Sequence, residues 1–426
     1  MLQKVLQYLS MDRSINSFYG LDGLRALAIL LVLCQHGPDE FYLNQVFWPL
    51  PLLLDLFSAL YHNGRLGVDL FFVLSGFLIT SQLLKFFESG KPLTGLWRFF
   101  VNRILRIAPA FYIILLFVQF VKPHIHIFDS VPMLLPGFTI ADIPKLIWVQ
   151  YAFMQDFFGV TFLQLFWTLG VEEKFYLLSP FLVGLIYFRF KSNKYALWTS
   201  LVILLMLPMF VRLYYLMRFH LVAVQAHYGP FRFTYFHMRS DGLVMGLICA
   251  FIFRYGRNAA LLSQAQSSKI LIGIGSLITV LLLCFTPYGK FPSFLTMQWS
   301  GLLSALGFGF LLLGVVLLPN EKCGWLGSRP LFFIARISYS IYLTHFLWAG
   351  PLTVWGMHQV APIPWQLDGG VTTLYFIIYM GLYLGLSIFM GAVYFYCVEK
   401  PFLLLKDHWF QGERLLNKNN KVTEVT

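Results

Sequence analysis

Arg25 and His36 stand eleven positions apart in the first apolar stretch, GLDGLRALAILLVLCQHG. At about 100° per residue, a helix returns them to nearly one face, about 16 Å apart along its axis. An ionisable side chain in a membrane-spanning helix costs about 2.5–3.5 kcal/mol and defaults to a functional reading. A neutral imidazole at that depth keeps a lone pair and can serve as a general base. The plainer reading makes Arg25 an end anchor and His36 a hydrogen-bonded packing residue.

Carboxylates enter from two other apolar stretches. GRLGVDLFFVLSGFLIT places Asp69 near the start of the second, with Ser75 and Gly76 about two turns further in, where small residues admit a neighbouring helix. FWTLGVEEKFYLLSP places Glu172 and Glu173 in the fourth, flanked by Trp167 and Tyr176 as pocket or interface aromatics. Adjacent helical residues point about 100° apart, so the two glutamates cannot both face one site. One is expected to be structural, paired with Lys174 or with an arginine of the 212-239 connection. An imidazole and a carboxylate at one depth form a base that can deprotonate a hydroxyl, with Asp69, Glu172 or Glu173 orienting His36.

Two further segments carry polar groups. RFFVNRILRIAPAFY presents Arg98, Arg103 and Arg106; a guanidinium binds phosphate bidentately, whereas the plainer reading is anchoring at the cytoplasmic boundary. ISYSIYLTHF sets Ser338, Tyr342 and His345 along one helix face beside Tyr339, a stripe expected to line a cavity. Arg239 and Asp241 of RSDGLVMG are further cavity-lining candidates. No metal site is expected: His124 and His126 lack the Cys or carboxylate partners of a zinc pattern. The glycines of GLDGLRA and GIGSL match no phosphate-binding loop.

The elements that must position these groups follow from composition. Of 426 residues, 58% are hydrophobic and 12% charged, with a net charge of +12. A soluble domain carries about 25% charged residues, so this is an all-α membrane protein. Basic nucleic-acid binders are polar proteins with a charged face, so the positive balance reads as a topology signal rather than a nucleic-acid one. Five cysteines, Cys34, Cys249, Cys284, Cys323 and Cys397, form no CxxC or disulfide framework. The first twenty residues lack the pattern of a removed signal peptide.

Windows of about 20 apolar residues predict about ten transmembrane helices, over 21-37, 66-87, 104-121, 167-188, 196-217, 240-255, 270-286, 298-318, 336-356 and 372-397. The runs 41-61 and 131-158 read as re-entrant or interfacial. With an even number of spans, 22 of the 31 Lys and Arg residues fall on one side, which makes both termini cytoplasmic. The connection 212-239 departs from that rule, with Arg212, Arg218, Arg232, Arg239, His220, His227 and His237 on the opposite side. The reading gives one polytopic domain over 1-402 and a short basic cytoplasmic tail over 403-426, with no internal repeat.

Taken in order, the Arg25 and His36 pair, GVDLFFVLSGFLI (67-79), NRILRIAP (102-109), WTLGVEEKFYLLSP (167-180), RSDGLVMG (239-246), SYSIYLTHF (338-346) and VEKP (398-401) resemble the acyltransferase-3 family of integral membrane O-acyltransferases. The resemblance spans nearly the whole chain. It implies transfer of a short acyl group, usually acetyl, from acyl-CoA to a hydroxyl of a surface or secreted glycan such as lipopolysaccharide, in the bacterial cytoplasmic (inner) membrane. Acetyl-CoA is then a co-substrate and no cofactor stays bound; the glycan acceptor can be lipid-linked. Carried over by position, His36 is the catalytic base and Arg25 serves the donor step, while Arg103 and Arg106 match further motif positions; coenzyme A, polyanionic and cytoplasmic, suits Arg103 and Arg106 beside Arg25 as donor-binding residues at the inner face. Glu172, Glu173 and Asp69 match further motif positions. The competing reading is a proton-coupled transporter of a small solute or glycan precursor, which uses the same residue types; a structural glycan-binding subunit is a third.

Overall fold

The computed structural model describes residues 18–37, 59–90, 92–121, 148–158, 166–190, 192–219, 235–256, 265–285, 294–360, 369–406 and 409. The interfacial runs expected at 41-61 and 131-158 lie outside these except at 59–61 and 148–158, as do His124, His126, His220, His227, Arg232 and most of the tail. Among the described residues the regular elements are all helical.

The main helices are α1 (Tyr19–His36), α2 (Leu66–Glu88), α3 (Pro92–Leu116), the short α4 (Gln155–Phe158), α5 (Trp167–Phe190), α6 (Lys194–Phe219), the short α7 (Phe236–Arg239), α8 (Asp241–Phe251), α9 (Ala265–Phe285), α10 (Phe294–Leu317), α11 (Arg329–Arg336), α12 (Ser338–Thr344), α13 (Gly350–Val360) and α14 (Gly369–Tyr394). Among the described residues six helical segments are long and apolar enough to cross a membrane, seven when α11 and the helix that follows it, bent by 55°, count as one span. The chain is an integral membrane protein. Of the ten expected spans, those on α1, α5 and α8 fall outside that count. α1 carries Asp22, Arg25, Gln35 and His36; α5 carries Glu172, Glu173, Lys174 and Arg189; α8 has only 11 residues. The last helix runs through the expected boundary at 402 as far as Lys406.

The bundle has an inside and an outside sorted by residue size. Every residue of α8 is buried, and its closest neighbour is α2. Gly76 of α2 and Gly246 of α8 meet there: a Cβ on Gly246 would lie 2.1 Å from the Val73 carbonyl oxygen, and one on Gly76 would lie 2.1 Å from that of Leu243. Glycine is what lets the two backbones touch, and touching backbones maximise dispersion where lipid offers no hydrophobic drive between helices. α9, by contrast, exposes Ile270, Ile274, Leu277, Val280 and Leu281 in a stripe at helical spacing, an apolar face suited to acyl chains.

Buried ion pairs stitch the centre. Arg212 of α6 forks onto Asp241 at 2.6 and 2.8 Å and also donates to the carbonyls of Met238 and Gln298. Arg239 donates to Asp69 at 2.8 Å, and Ser304 of α10 donates to the other oxygen of Asp69 at 3.0 Å. Lys174 of α5 pairs with Asp156 of α4, whose second oxygen accepts from the Phe236 amide. In a low-dielectric interior such charges are tolerable only when paired and hydrogen-bonded. The first two pairs tie the start of α8 and the short α7 before it to α6 and α2, and the third ties α4 to α5.

Candidate functional site

A cavity of about 160 Å³ lies where five helices converge. α1 contributes Arg25; α2 contributes Val68, Phe71, Phe72, Ser75 and Leu78; α3 contributes Arg103, Arg106 and Ile107; α5 contributes Thr168, Leu169, Glu172 and Tyr176; α12 contributes Ser338, Tyr339 and Tyr342. Local spacing explains the set. Positions 68, 71, 72, 75 and 78 share one face of α2, as do 168, 172 and 176 on α5. A single water needs about 10–15 Å³ of such space, so the cavity has room for a short acyl group and its thioester.

The wall is divided between an apolar slot and a charged end. Glu172 accepts from Ser75 Oγ at 2.7 Å through one carboxylate oxygen and from the Tyr176 hydroxyl at 3.1 Å through the other. Thr168 and Tyr342 join their hydroxyls at 2.5 Å, which ties α5 to α12. Tyr339 donates to the Ile107 carbonyl at 3.0 Å and so fixes α12 on α3. Arg103 lies over the rings of Tyr176 and Phe99, at 5.0 and 5.8 Å, which orients a guanidinium while leaving its edges for a ligand. Arg25, Arg103 and Arg106 form no ion pair among the described residues. Three arginines against one lining carboxylate leave this end of the cavity positive.

The sequence-level candidates separate into those the structure brings together and those it does not. Arg25, Ser75, Arg103, Arg106, Glu172, Tyr176, Ser338 and Tyr342 all line the cavity. Glu173, the neighbour of Glu172, does not, as the turn of the helix requires. Three of the partners expected for that acidic pair are engaged otherwise: Lys174 with Asp156, Arg212 with Asp241 and Arg239 with Asp69. Asp69 therefore holds α7 and α10 and does not orient His36. Arg239 and Asp241 are committed to these buried pairs rather than to the cavity wall, and Trp167 packs edge-on to Phe72 beneath Arg239.

His36 lies beyond the lining residues. Its ring faces His345 at 5.5 Å and Phe346 at 6.1 Å between centroids, and no carboxylate among the described residues acts on it. Tyr342, which lines the cavity, is 6.0 Å from His345 on the same helix face. The connection from cavity to His36 thus runs along α12. Among the described residues, no group of three or more His, Cys, Asp and Glu side chains is placed to hold a metal ion.

Two polar residues escaped sequence reading. Thr168 has a spacing signal, four positions before Glu172. Glu399, in the VEKP motif, is 2% exposed and accepts from Ser340 at 2.6 Å, with the charges of Arg106, Arg336 and Arg25 bearing on it. Only the packing of α14 on α12 brings it near the site.

A positively charged, half-apolar cavity inside a helical membrane bundle can receive an anionic group that carries an apolar chain. A family model for an acyltransferase domain matches residues 18–394, and the chain belongs to that acyltransferase-3 family. It is 28% identical to the peptidoglycan O-acetyltransferase OatA of Listeria monocytogenes over 334 residues, covering 76% of this chain and 48% of that protein. It is 26% identical to the O-acetyltransferase OatA of Staphylococcus aureus over 339 residues, 77% of this chain and 50% of the relative. The chain spans about half the length of the curated relatives it matches. No solved structure matches it.

Proposed function

We propose that this protein is a membrane O-acyltransferase that moves a short acyl group, acetyl in the first instance, from acyl-CoA to a hydroxyl of a cell-envelope glycan. The observation that carries the reading is the cavity's charge: Arg25, Arg103 and Arg106 converge on it without ion-pair partners among the described residues, as a polyanionic donor requires. The apolar residues Val68, Phe71, Phe72, Leu78, Ile107 and Leu169 suit the chain that joins the phosphates to the thioester. Relatives named as peptidoglycan O-acetyltransferases favour a glycan acceptor. The same reading has the protein in the bacterial inner membrane, with ten spans and both termini on the cytoplasmic side, where the basic residues and the donor meet.

In this reading His36 is the general base. The acceptor O–H bond breaks, its proton passes to His36, and the oxygen bonds to the thioester carbonyl carbon. The C–S bond then breaks, and the His36 proton goes to the departing coenzyme A sulfur. Arg25 holds donor charge at one end of α1, and His36 stands about 16 Å along the same helix, so an extended donor anchored at Arg25 carries its thioester toward His36. Glu172, hydrogen-bonded by Ser75 and Tyr176, shapes the charged end without contacting the base.

The test is release of coenzyme A from acetyl-CoA by the purified protein in lipid, with a glycan acceptor supplied. Activity lost in folded His36→Ala and Arg25→Ala supports the reading. A folded wild type that ignores acetyl-CoA and longer donors alike, with the acceptor present, overturns it in favour of transport.

A further inference from the structure

His345 is fully buried, and its Nδ1 lies 2.9 Å from the Tyr342 carbonyl oxygen and 3.1 Å from that of Ile341. A carbonyl only accepts, so Nδ1 carries the ring proton, and Nε2 of the neutral imidazole is left as an acceptor. That Nε2 is buried without a hydrogen-bond partner among the described residues. A buried acceptor left unmade costs about 1–3 kcal/mol, which a ring serving only to fill space need not incur. The His36 ring faces that of His345 at 5.5 Å between centroids, tilted by 48°. Two imidazoles joined end to end by an N–H···N bond of about 3 Å have their centroids about 5 Å apart, so a small turn of the two rings closes a bond that the described side chains do not make. The backbone supports the placement: the helix widens into a π-type turn over His345–Ala349, a local shift of hydrogen-bond register that begins at this histidine.

We propose that His345 is a positioning residue for His36: its Nε2 accepts the ring N–H of His36, which fixes the tautomer of His36 and leaves the other ring nitrogen as the free base. The proposal deepens the acyltransferase reading and rests on His36 as base. It supplies the orienting partner that the carboxylates do not. The logic is that of a Ser-His-Asp triad, in which an acceptor behind the catalytic imidazole holds its tautomer, with one difference in charge. A neutral acceptor stabilises the transient imidazolium less than a carboxylate does, so the proton is released readily to the departing thiolate.

Two substitutions separate positioning from packing. His345→Asn sets an amide N–H where Nδ1 stood, keeping the bonds to Ile341 and Tyr342 and deleting the acceptor. His345→Gln sets an amide oxygen near Nε2 and retains it. The readouts are kcat and KM for acetyl-CoA, and the tautomer of His36 from nitrogen-15 spectra of histidine-labelled protein in lipid, with His36 assigned by its absence in His36→Ala. The expected result is one neutral His36 tautomer in the wild type and a mixture in His345→Asn. With it, kcat in His345→Asn falls on the order of 10²-fold at an unchanged donor KM, and His345→Gln recovers at least about tenfold of that loss. A folded His345→Asn with the wild-type tautomer, or with kcat within about threefold of wild type, overturns the proposal. If His36→Ala is itself active, the base assignment falls and His345 with it; if His36→Ala is dead while His345→Asn is unaffected, only His345 falls. The spectra decide the orienting contact without any substrate.

Discussion

Ser75 of α2 donates a 2.7 Å hydrogen bond to Glu172 of α5 inside the cavity, across 97 residues of chain. The bond binds two helices and sets a negative charge among three arginines that lack ion pairs among the described residues. In the proposed reading that charge opposes donor phosphates at effective dielectric constants of about 20, where neighbouring charges still interact by several kcal/mol. Glu172→Gln keeps the shape and one acceptor while removing the charge. KM for acetyl-CoA is expected to fall about three- to tenfold in steady-state assays, and a raised KM would show that Glu172 meets a positive part of the substrate instead. Ser75→Ala leaves the carboxylate with one donor fewer, and a charged hydrogen bond is worth about 1.5–3 kcal/mol. Its melting temperature in detergent is expected to drop with donor KM little changed.

Arg103 and Arg106 are separable from ordinary boundary arginines by position. Both line the cavity, whereas Arg98, on the same helix, does not. Arg106→Lys retains the charge and loses the planar fork that grips a phosphate. Donor KM is expected to rise about tenfold in Arg106→Lys and Arg103→Gln, more steeply at low than at high salt, and to stay near wild type in Arg98→Gln. Equal effects at all three positions would assign them to membrane anchoring.

Much of this arrangement is visible in the sequence because it is local. The helical spacing of Ser75 with Val68, Phe71, Phe72 and Leu78, and of Glu172 with Tyr176, already selects the faces that converge, and the choice of one glutamate over its neighbour follows from helical rotation. Span ends are legible within a few residues for α1, α2 and α8. The expected third span begins at 104, whereas α3 begins at Pro92, because the arginines taken as its boundary ride on the helix rather than ending it. The bend of 55° between α11 and α12 falls at Ile337, with no proline or glycine there to announce it. The pairing of Asp69 with Arg239 joins positions 170 apart, and the approach of His345 to His36 joins positions 309 apart in sequence. Periodicity assigns a residue to a face; it does not say which distant face it meets.

Asp69 and Asp241 are expected to behave as structural residues despite their motif positions. Breaking a buried pair by removing one partner costs about 3–5 kcal/mol because the other charge stays buried. Asp241→Ala strands Arg212, which is 2% exposed, and is expected to cut the folded yield severely. Asp69→Asn keeps an acceptor for Arg239 and replaces the oxygen that faces Ser304 with an amide donor, whose hydrogen bond the Ser304 hydroxyl can accept, so it is expected to fold at reduced stability, with kcat per folded molecule within about threefold of wild type. The check is size-exclusion yield and melting in detergent beside activity. A well-folded, inactive Asp69→Asn would return Asp69 to the catalytic machinery.

The glycine contact between α2 and α8 seats α2, which forms one wall of the cavity, against a helix behind it. A Cβ at Gly246 would sit 2.1 Å from the Val73 carbonyl and 2.6 Å from the Phe77 amide nitrogen, both backbone atoms that cannot turn aside. Gly246→Ala must therefore push α8 from α2 along a seam in which all of α8 is buried, and overpacking of this kind costs about 1–3 kcal/mol. A methyl group at Gly273 on α9 would meet no described atom within 4 Å, and alanine there only adds helix propensity, by up to about 1 kcal/mol. The pair makes an internal control: Gly246→Ala is expected to lower the melting temperature and to disturb the Asp69 and Arg239 pair, while Gly273→Ala leaves melting unchanged or raises it. Since α2 carries Ser75 into the cavity, activity should fall with the first and not with the second. Equal melting of the two variants would mean that α8 can yield to a methyl group at no cost, and that the helix contact does not define the cavity.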